Sequence, residues 1–275
     1  MRRIFLPFLV ALAVPLAAPP LARQQPAQTA AVPEARAVIA RFLEVTKLGE
    51  KLEKSQSRHE KMNLAIGGME AAGERWSARP ATRKDAIDLG GLGGIVHTGV
   101  TGGAGWTSDP MRGPVLLEGV DLLQMRLEAD WFSVLKPDSL YESVRTVGLE
   151  AFQGKGCWKV ESVARPLPGM DPEATKAART ILEYYEVESG FLVAQNGTMD
   201  GELGTGPTSS VFSDYKDFGG IQLPAKTTLR QAGIECVLTL VSVEFDTVAE
   251  EDLAPPADVK KLIEAAGTKS EPKPQ

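Results

Sequence analysis

Histidine is almost missing from this sequence: His59 and His97 are the only two in 275 residues. That excludes a multi-histidine metal site, and a zinc site would have to be completed by carboxylates or a cysteine. Either histidine reads more simply as a residue on the face of a strand. Cysteine is equally scarce. Cys157 and Cys236 both lie far from the N-terminus, so a lipobox is lacking and the mature N-terminus is expected to carry no lipid. Basic stripes are missing too: 30 lysines and arginines are interspersed with 36 acidic residues for a formal net charge of -6, which disfavours nucleic acid and anionic membrane surfaces as partners. Downstream of the N-terminus no stretch reaches the roughly 18 apolar residues of a spanning helix, so no integral membrane segment is expected after signal cleavage.

The usual catalytic and cofactor signatures are absent as well. No G-x-S-x-G elbow surrounds any serine, and nothing local supports a Ser-His-Asp or Cys-His pair. Leu89-Gly90-Gly91-Leu92-Gly93-Gly94 and Thr101-Gly102-Gly103-Ala104-Gly105 are glycine-rich, yet no Lys-Ser/Thr follows and no helix is expected to open after either. Glycine in such a β region marks bulges, tight turns or close backbone approaches rather than a phosphate cradle. No cofactor is implied, and no internal repeat is found. Strand alternation scatters Glu183, Glu186 and Glu188 over both faces, so no carboxylate pair is implied and they read as solvated residues.

What is present begins with an export signal. Met1, Arg2 and Arg3 are positive, Ile4 to Ala18 is apolar apart from prolines, and small residues precede Arg23-Gln24-Gln25; these are the three regions of a cleavable signal peptide in order. The apolar run is about 15 residues, short of the roughly 20 that cross a bilayer. Residues 1–30 are therefore expected to be signal peptide and flexible leader, 31–266 a single β domain with covering helices, and 267–275 a disordered Lys/Pro/Glu tail.

Within 31–266, Ala35, Val38, Ile39, Phe42, Leu43 and Val45 recur at helical spacing, with Pro33 to start the helix and Gly49 to stop it. Short runs from Met62 to Val100 suit a meander of strands and tight turns. Val120, Leu123, Leu127, Trp131 and Val134 share a face of a second helix expected over 120–134, with Leu122, Met125, Ala129 and Phe132 beside them. A helix so broadly apolar must be covered on several sides, as a curved sheet half-wrapped around it would do. Beyond Pro137 strands are expected at 143–152, 156–165, 180–188, 191–199, 209–218, 221–231 and 234–245, with Asn196-Gly197 as a hairpin dipeptide and 166–178 as a surface insertion. Without interleaved helices the pairing should be antiparallel. In the last strand Val237, Val241, Val243 and Phe245 are read onto one face and Glu235, Ser242 and Glu244 onto the other. A short helix over 256–266 ends the domain.

In an oxidising compartment Cys157 and Cys236 are a disulfide candidate. A bridge would close a loop of roughly 80 residues, worth on the order of 4 kcal/mol on chain-entropy reasoning; the other reading is two small buried residues on different strands. A one-faced sheet against apolar helices either fills with its own side chains or holds an apolar ligand. Trp106, Leu123, Leu127, Trp131, Phe132, Trp158 and Phe191 are the candidates to line such a cavity.

Four motifs occur in order: Gly105-Trp106-Thr107-Ser108-Asp109-Pro110 with Gly113-Pro114, then Phe152-x-Gly154-x-x-Cys157-Trp158-Lys159-Val160, then Ser189-Gly190-Phe191-Leu192-Val193, then Tyr215-Lys216-Asp217-Phe218-Gly219-Gly220-Ile221-x-Leu223-Pro224. This string resembles exported bacterial proteins of the outer-membrane lipoprotein-sorting, or lipoprotein-carrier, kind. The resemblance implies a mainly β (α+β) fold, a curved antiparallel sheet forming an incomplete β-barrel closed by helices, which in the carriers shelters lipoprotein acyl chains. In those carriers a buried arginine and aromatic residues tie the lid to the barrel. The expectation is thus an exported, periplasmic or secreted non-enzymatic protein that holds a lipid, a lipoprotein acyl chain or another apolar ligand. An envelope interaction protein with a solid core is the alternative, and a hydrolase built on His59 or His97 a weaker one.

Overall fold

The computed structural model describes residues 31–199 and 206–270; the expected signal peptide and leader, and tail residues 271–275, lie outside them. Two helices come first, α1 (Ala35–Thr46) and α2 (Leu48–Lys54). They part at Lys47, whose left-handed backbone (φ 56°) breaks the helix. Gly49, expected to stop the first helix, lies inside the second.

Six strands follow: β1 (Ser57–Ile66), β2 (Met69–Ala78), β3 (Thr82–Asp88), β4 (Ile95–Thr101), β5 (Ala104–Asp109) and β6 (Gly113–Leu116). Then come α3 (Gly119–Ala129), a run of turns, and α4 (Pro137–Leu140). The second set of strands is β7 (Tyr141–Phe152), β8 (Lys155–Ala164), β9 (Thr180–Glu186), β10 (Leu192–Met199), β11 (Gly206–Phe218), β12 (Ile221–Gln231) and β13 (Ile234–Phe245), with α5 (Lys176–Arg179) between β8 and β9. Helices α6 (Glu250–Leu253) and α7 (Ala257–Ser270) close the chain.

Among the described residues the strands form one curved antiparallel sheet in the order β6-β5-β4-β3-β2-β1-β13-β12-β11-β10-β9-β8-β7. Edges β6 and β7 do not pair, so the barrel is incomplete. The chain starts in the middle of the sheet and meanders out to one edge. It then crosses to the opposite edge and meanders back until β13 pairs with β1. The crossover is α3 and the turns after it, so the topology itself lays a helix across the sheet's concave side.

Both periodicities are visible in the contacts. Ala35, Val38, Ile39 and Phe42 bury the apolar stripe of α1 against Val160, Tyr185, Ile221 and Leu223 of the second meander. On the other face of that meander Cys157, Tyr184 and Ala194 form a separate small cluster.

Several expectations are corrected. The helix expected over 120–134 ends at Ala129, because Asp130 turns the chain: its Oδ1 accepts the Phe132 backbone N–H at 2.7 Å, while the Trp131 N–H bonds Pro80 O. The spacing of Trp131 and Val134 continued the helical pattern, but these residues serve the α1 core instead. Asn196-Gly197 is not a turn; both residues pair within β10, opposite Ser209 and Thr208. In β13 a bulge beside Lys61 and Met62 leaves Val241 unpaired and exposed. The extra residue resets the alternation, so the inward residues are Leu238, Leu240, Val243 and Phe245, not Val237 and Val241. The last helix runs on to Ser270, past its expected end.

Cys157 and Cys236 are free. They sit five strands apart, roughly 24 Å along the sheet at about 4.8 Å per strand, and a bridge needs Cα atoms about 4.4–6.8 Å apart. The disulfide reading is therefore overturned.

Candidate functional site

Strand alternation sorts the first meander into two faces. The row His59, Trp76, Lys84, Gly99, Trp106 is in register across β1 to β5. It lies on the convex face, where His59 stacks on Trp76 at 5.1 Å and Lys84 lies over the same indole. Ser108, two residues beyond Trp106, hydrogen-bonds Asp258 of α7 at 3.4 Å. The neighbouring row Arg58, Ser77, Arg83, Val100, Gly105 faces inward, with Leu117 and Leu122 packed over Gly105. One step along, the inward row reads Val243, Glu60, Arg75, Asp85, Thr98.

Helix α3 is fastened at three points over this inward face. Arg83 reaches up to Glu128 at 2.5 Å while also binding Asp85. Arg126 donates to Gly103 O in the β4–β5 turn. Gln124 donates to Thr198 O of β10, in the other meander, at 3.1 Å. The helix thus bridges the two wings of the half-barrel.

Beneath it lies a cavity of about 480 Å³. Its apolar wall includes Met62, Leu123, Leu127, Phe212, Leu238 and Leu240, and its polar parts include Glu60, Arg75, Arg83 and Glu128 at one end and Asn196, Thr198 and Ser210 at another. Residues 166–178, expected as a surface insertion, fold against the rim. Arg179, almost wholly buried, donates to Ala164 O and Pro172 O and pairs with Glu142 at 3.3 Å, and Ala178 and Arg179 line the cavity.

A second cavity of about 210 Å³ shares Leu127, Glu128, Ile181 and Gln195 with the first. Into it faces Glu183, whose pKa burial pushes up to about 7, with the Tyr185 hydroxyl as hydrogen-bond partner pulling the other way. Burial also raises the Tyr141 phenol above its ordinary value. Sequence reasoning placed Glu183 on a solvated face; the signal it lacked was that Val160 stands opposite on β8 and α1 lies above.

Of the seven lining candidates, Leu123 and Leu127 border the larger cavity. Trp131, Phe132 and Trp158 belong to the core under α1. Phe191 stacks face to face on Tyr215 at 4.1 Å. Trp106 is fully buried on the opposite face of the sheet, its indole N–H on Thr101 Oγ1. His59 bonds Glu74 at 2.7 Å and shares the convex face with His97; neither histidine borders the cavity. Among the described residues no three His, Cys, Asp or Glu side chains are grouped to hold a metal ion.

No protein-family model matches the chain, and a search of curated proteins returns no match. Solved structures do resemble it. A DUF1329 family protein from Desulfovibrio piger superposes with a TM-score of 0.53 at 13% identity, covering 80% of this chain and 98% of that one. A LolA superfamily protein from Nitrosomonas europaea gives 0.53 at 11% identity over 81% and 98%. An outer-membrane lipoprotein-sorting protein domain from Vibrio parahaemolyticus gives 0.50 at 12% identity over 82% and 98%. The resemblance read from the four motifs and these structures agree on the fold: a mainly β half-barrel with covering helices.

Proposed function

We propose that this chain is an exported, non-enzymatic binding protein that holds a lipid or similar apolar ligand in the concave side of its half-barrel. The observation that carries the reading is the cavity of about 480 Å³ under α3, inside the roughly 300–1,000 Å³ range of ligand sites, with polar residues around it but a surface more apolar than polar. A solid core gives no reason for that space. The likeness to an outer-membrane lipoprotein-sorting protein domain supports the same class, and the N-terminal signal supports export to the periplasm or beyond. On this reading residues 31–266 are one carrier domain, and a lipoprotein acyl chain is one ligand the cavity suits.

The test is organic-solvent extraction and native mass spectrometry of protein purified from its own compartment. Close to one apolar molecule per chain is expected, and once that molecule is removed the protein should bind the fluorescent probe N-phenyl-1-naphthylamine in its place. Leu127→Trp, which fills the cavity, should abolish both signals. Protein that yields no ligand and binds no probe would return the reading to a solid-core interaction protein.

A further inference from the structure

The polar end of the cavity carries more information than its apolar wall. Glu60 is 7% exposed and borders the cavity. Its two oxygens stand 3.5 Å from Arg58 Nε and Arg75 Nη1, ionic contacts too long to be good hydrogen bonds, and buried Oε2 has no hydrogen-bond partner. A buried carboxylate oxygen left unbonded is costly, so a donor arriving there gains what the folded protein forgoes.

The charge balance says what kind of donor. Arg58, Arg75 and Arg83 face Glu60, Asp85 and Glu128, three cations to three carboxylates. Arg83 binds two of those carboxylates at 2.5 Å each, and Arg75 binds Asp85 at 2.8 Å. Arg179 is spent on two backbone carbonyls and Glu142. Arg58 Nε also lacks a hydrogen-bond partner, but Arg58 is not among the residues that line the cavity. The guanidiniums that do, Arg75, Arg83 and Arg179, are each engaged, so a carboxylate or phosphate head would meet no free guanidinium from inside the cavity. An ammonium head would add a fourth cation to a balanced, largely desolvated cluster, where an uncompensated charge is expensive. What remains is a neutral donor.

We infer that the ligand is an apolar chain ending in a neutral hydroxyl-bearing head, of the monoacylglycerol kind, seated with a hydroxyl donating to Glu60. This rests on the lipid-binding reading above and specifies its ligand class. Glu60 is then the residue that sets head-group specificity, and Met62, Leu238 and Leu240, beyond it on the same face, receive the chain.

The test is displacement of N-phenyl-1-naphthylamine from the full mature chain by four C12 compounds below their aggregation limits: 1-monolauroylglycerol, methyl laurate, laurate and dodecylammonium. Hydrogen bonds to a charged acceptor discriminate by about tenfold or more, so monolauroylglycerol should displace the probe at about one-tenth the concentration the other three need. Glu60→Leu should bring monolauroylglycerol to the level of methyl laurate when both are read against that variant's own probe affinity, and Glu60→Gln, which keeps a carbonyl acceptor, should retain part of the preference. The inference is overturned if laurate or dodecylammonium displaces best, if monolauroylglycerol and methyl laurate are equal, or if Glu60→Leu weakens every compound alike. The wild-type ranking decides the matter even should a variant fail to fold. If the probe binds and no ranking emerges, only this inference falls; if nothing binds, the lipid-binding reading falls with it.

Discussion

Glu183 shows how one residue's role is decided by what stands across from it. Its carboxyl has no cation among the groups that shift it, and burial raises its pKa from an ordinary 4.5 to about 7. A carboxyl with a raised folded-state pKa binds its proton more tightly when folded. Its stabilising effect is therefore complete below about pH 4.5 and is lost as the pH rises through about 7. At about 1.4 kcal/mol per pKa unit the loss is at most about 3–4 kcal/mol. Thermal melts of wild type and Glu183→Gln from pH 5 to pH 8.5 should diverge, the wild type losing stability with rising pH and the variant staying flatter; parallel curves would show that Glu183 is not the group. Gly99 is a second residue whose purpose lies in a neighbour. A Cβ there would clash with Arg83 O and stand 2.6 Å from the Trp106 ring, so Gly99→Ala must displace the β3 backbone or the buried indole. A cost of about 1–3 kcal/mol is expected, visible as a lower denaturation midpoint. Neither role was legible in the sequence, since strand alternation gives the face a residue is on but not what packs over it. The same gap holds for the aromatics: Trp106, Trp131, Phe132, Trp158 and Phe191 are lining candidates because they are large and apolar, and each packs elsewhere.

At the scale of the element the sequence was more informative, because strand and helix periods are local. Strands β12 and β13 were read to the residue, and β7 to β11 to within a few, since glycine pairs and the one-faced pattern bound them. The misses have local physical causes. Lys47 in a left-handed conformation, an Asp130 turn after α3 and a β13 bulge each interrupt a pattern without changing its composition. Helix α3 was recognised as a helix needing cover on several sides, but its fastenings were not. One of them is an ion pair that can be cut from either end with unequal results. Arg83→Met leaves buried Asp85 with Arg75 as its one remaining cation and half-exposed Glu128 without its partner, and because removing one partner of a buried pair costs about 3–5 kcal/mol, a loss toward the lower end of that range is expected. Glu128 is half exposed, so Glu128→Gln should cost less than about 1 kcal/mol. Denaturant melts of the two variants, with limited proteolysis of the 119–129 segment, check this ordering. Equal losses would mean that the arginine gains its stability from Glu128 and not from Asp85.

At the scale of the molecule the sequence could say antiparallel and mainly β, and the four motifs could point to a half-barrel, but no local pattern says which strands are neighbours. The order is non-local: β1 and β13, nearly the whole domain apart in sequence, form the seam between two meanders that are each local in themselves. Among the described residues this is the only strand pairing that joins them, so the concave face and its cavity exist only while the seam holds. For the same reason the sequence leaves the two cysteines open between a bridge and two separate buried thiols, and only the strand order decides for free thiols. The seam is instead secured at its end by Asp246, which follows β13 and has a left-handed backbone at φ 62°. Its Oδ1 accepts the Gln56 and Ser57 backbone N–H groups at 2.6 and 3.3 Å, and its own N–H donates to Ser57 O at 2.9 Å. Those bonds, that from Gln56 foremost, hold its pKa below the ordinary carboxylate value, so the stabilisation is present above the unfolded pKa and is lost as acid protonates the folded group. Asp246→Ala removes a side-chain cap of the kind worth about 1 kcal/mol, which should lower Tm by about 2–4 °C in a domain of this size. The decisive readout is where that loss appears. Amide exchange should quicken along β1 and β13 together, and probe binding under α3 should weaken in step. Exchange confined to the residues beside position 246 would mean that the two meanders are held together by something other than this seam.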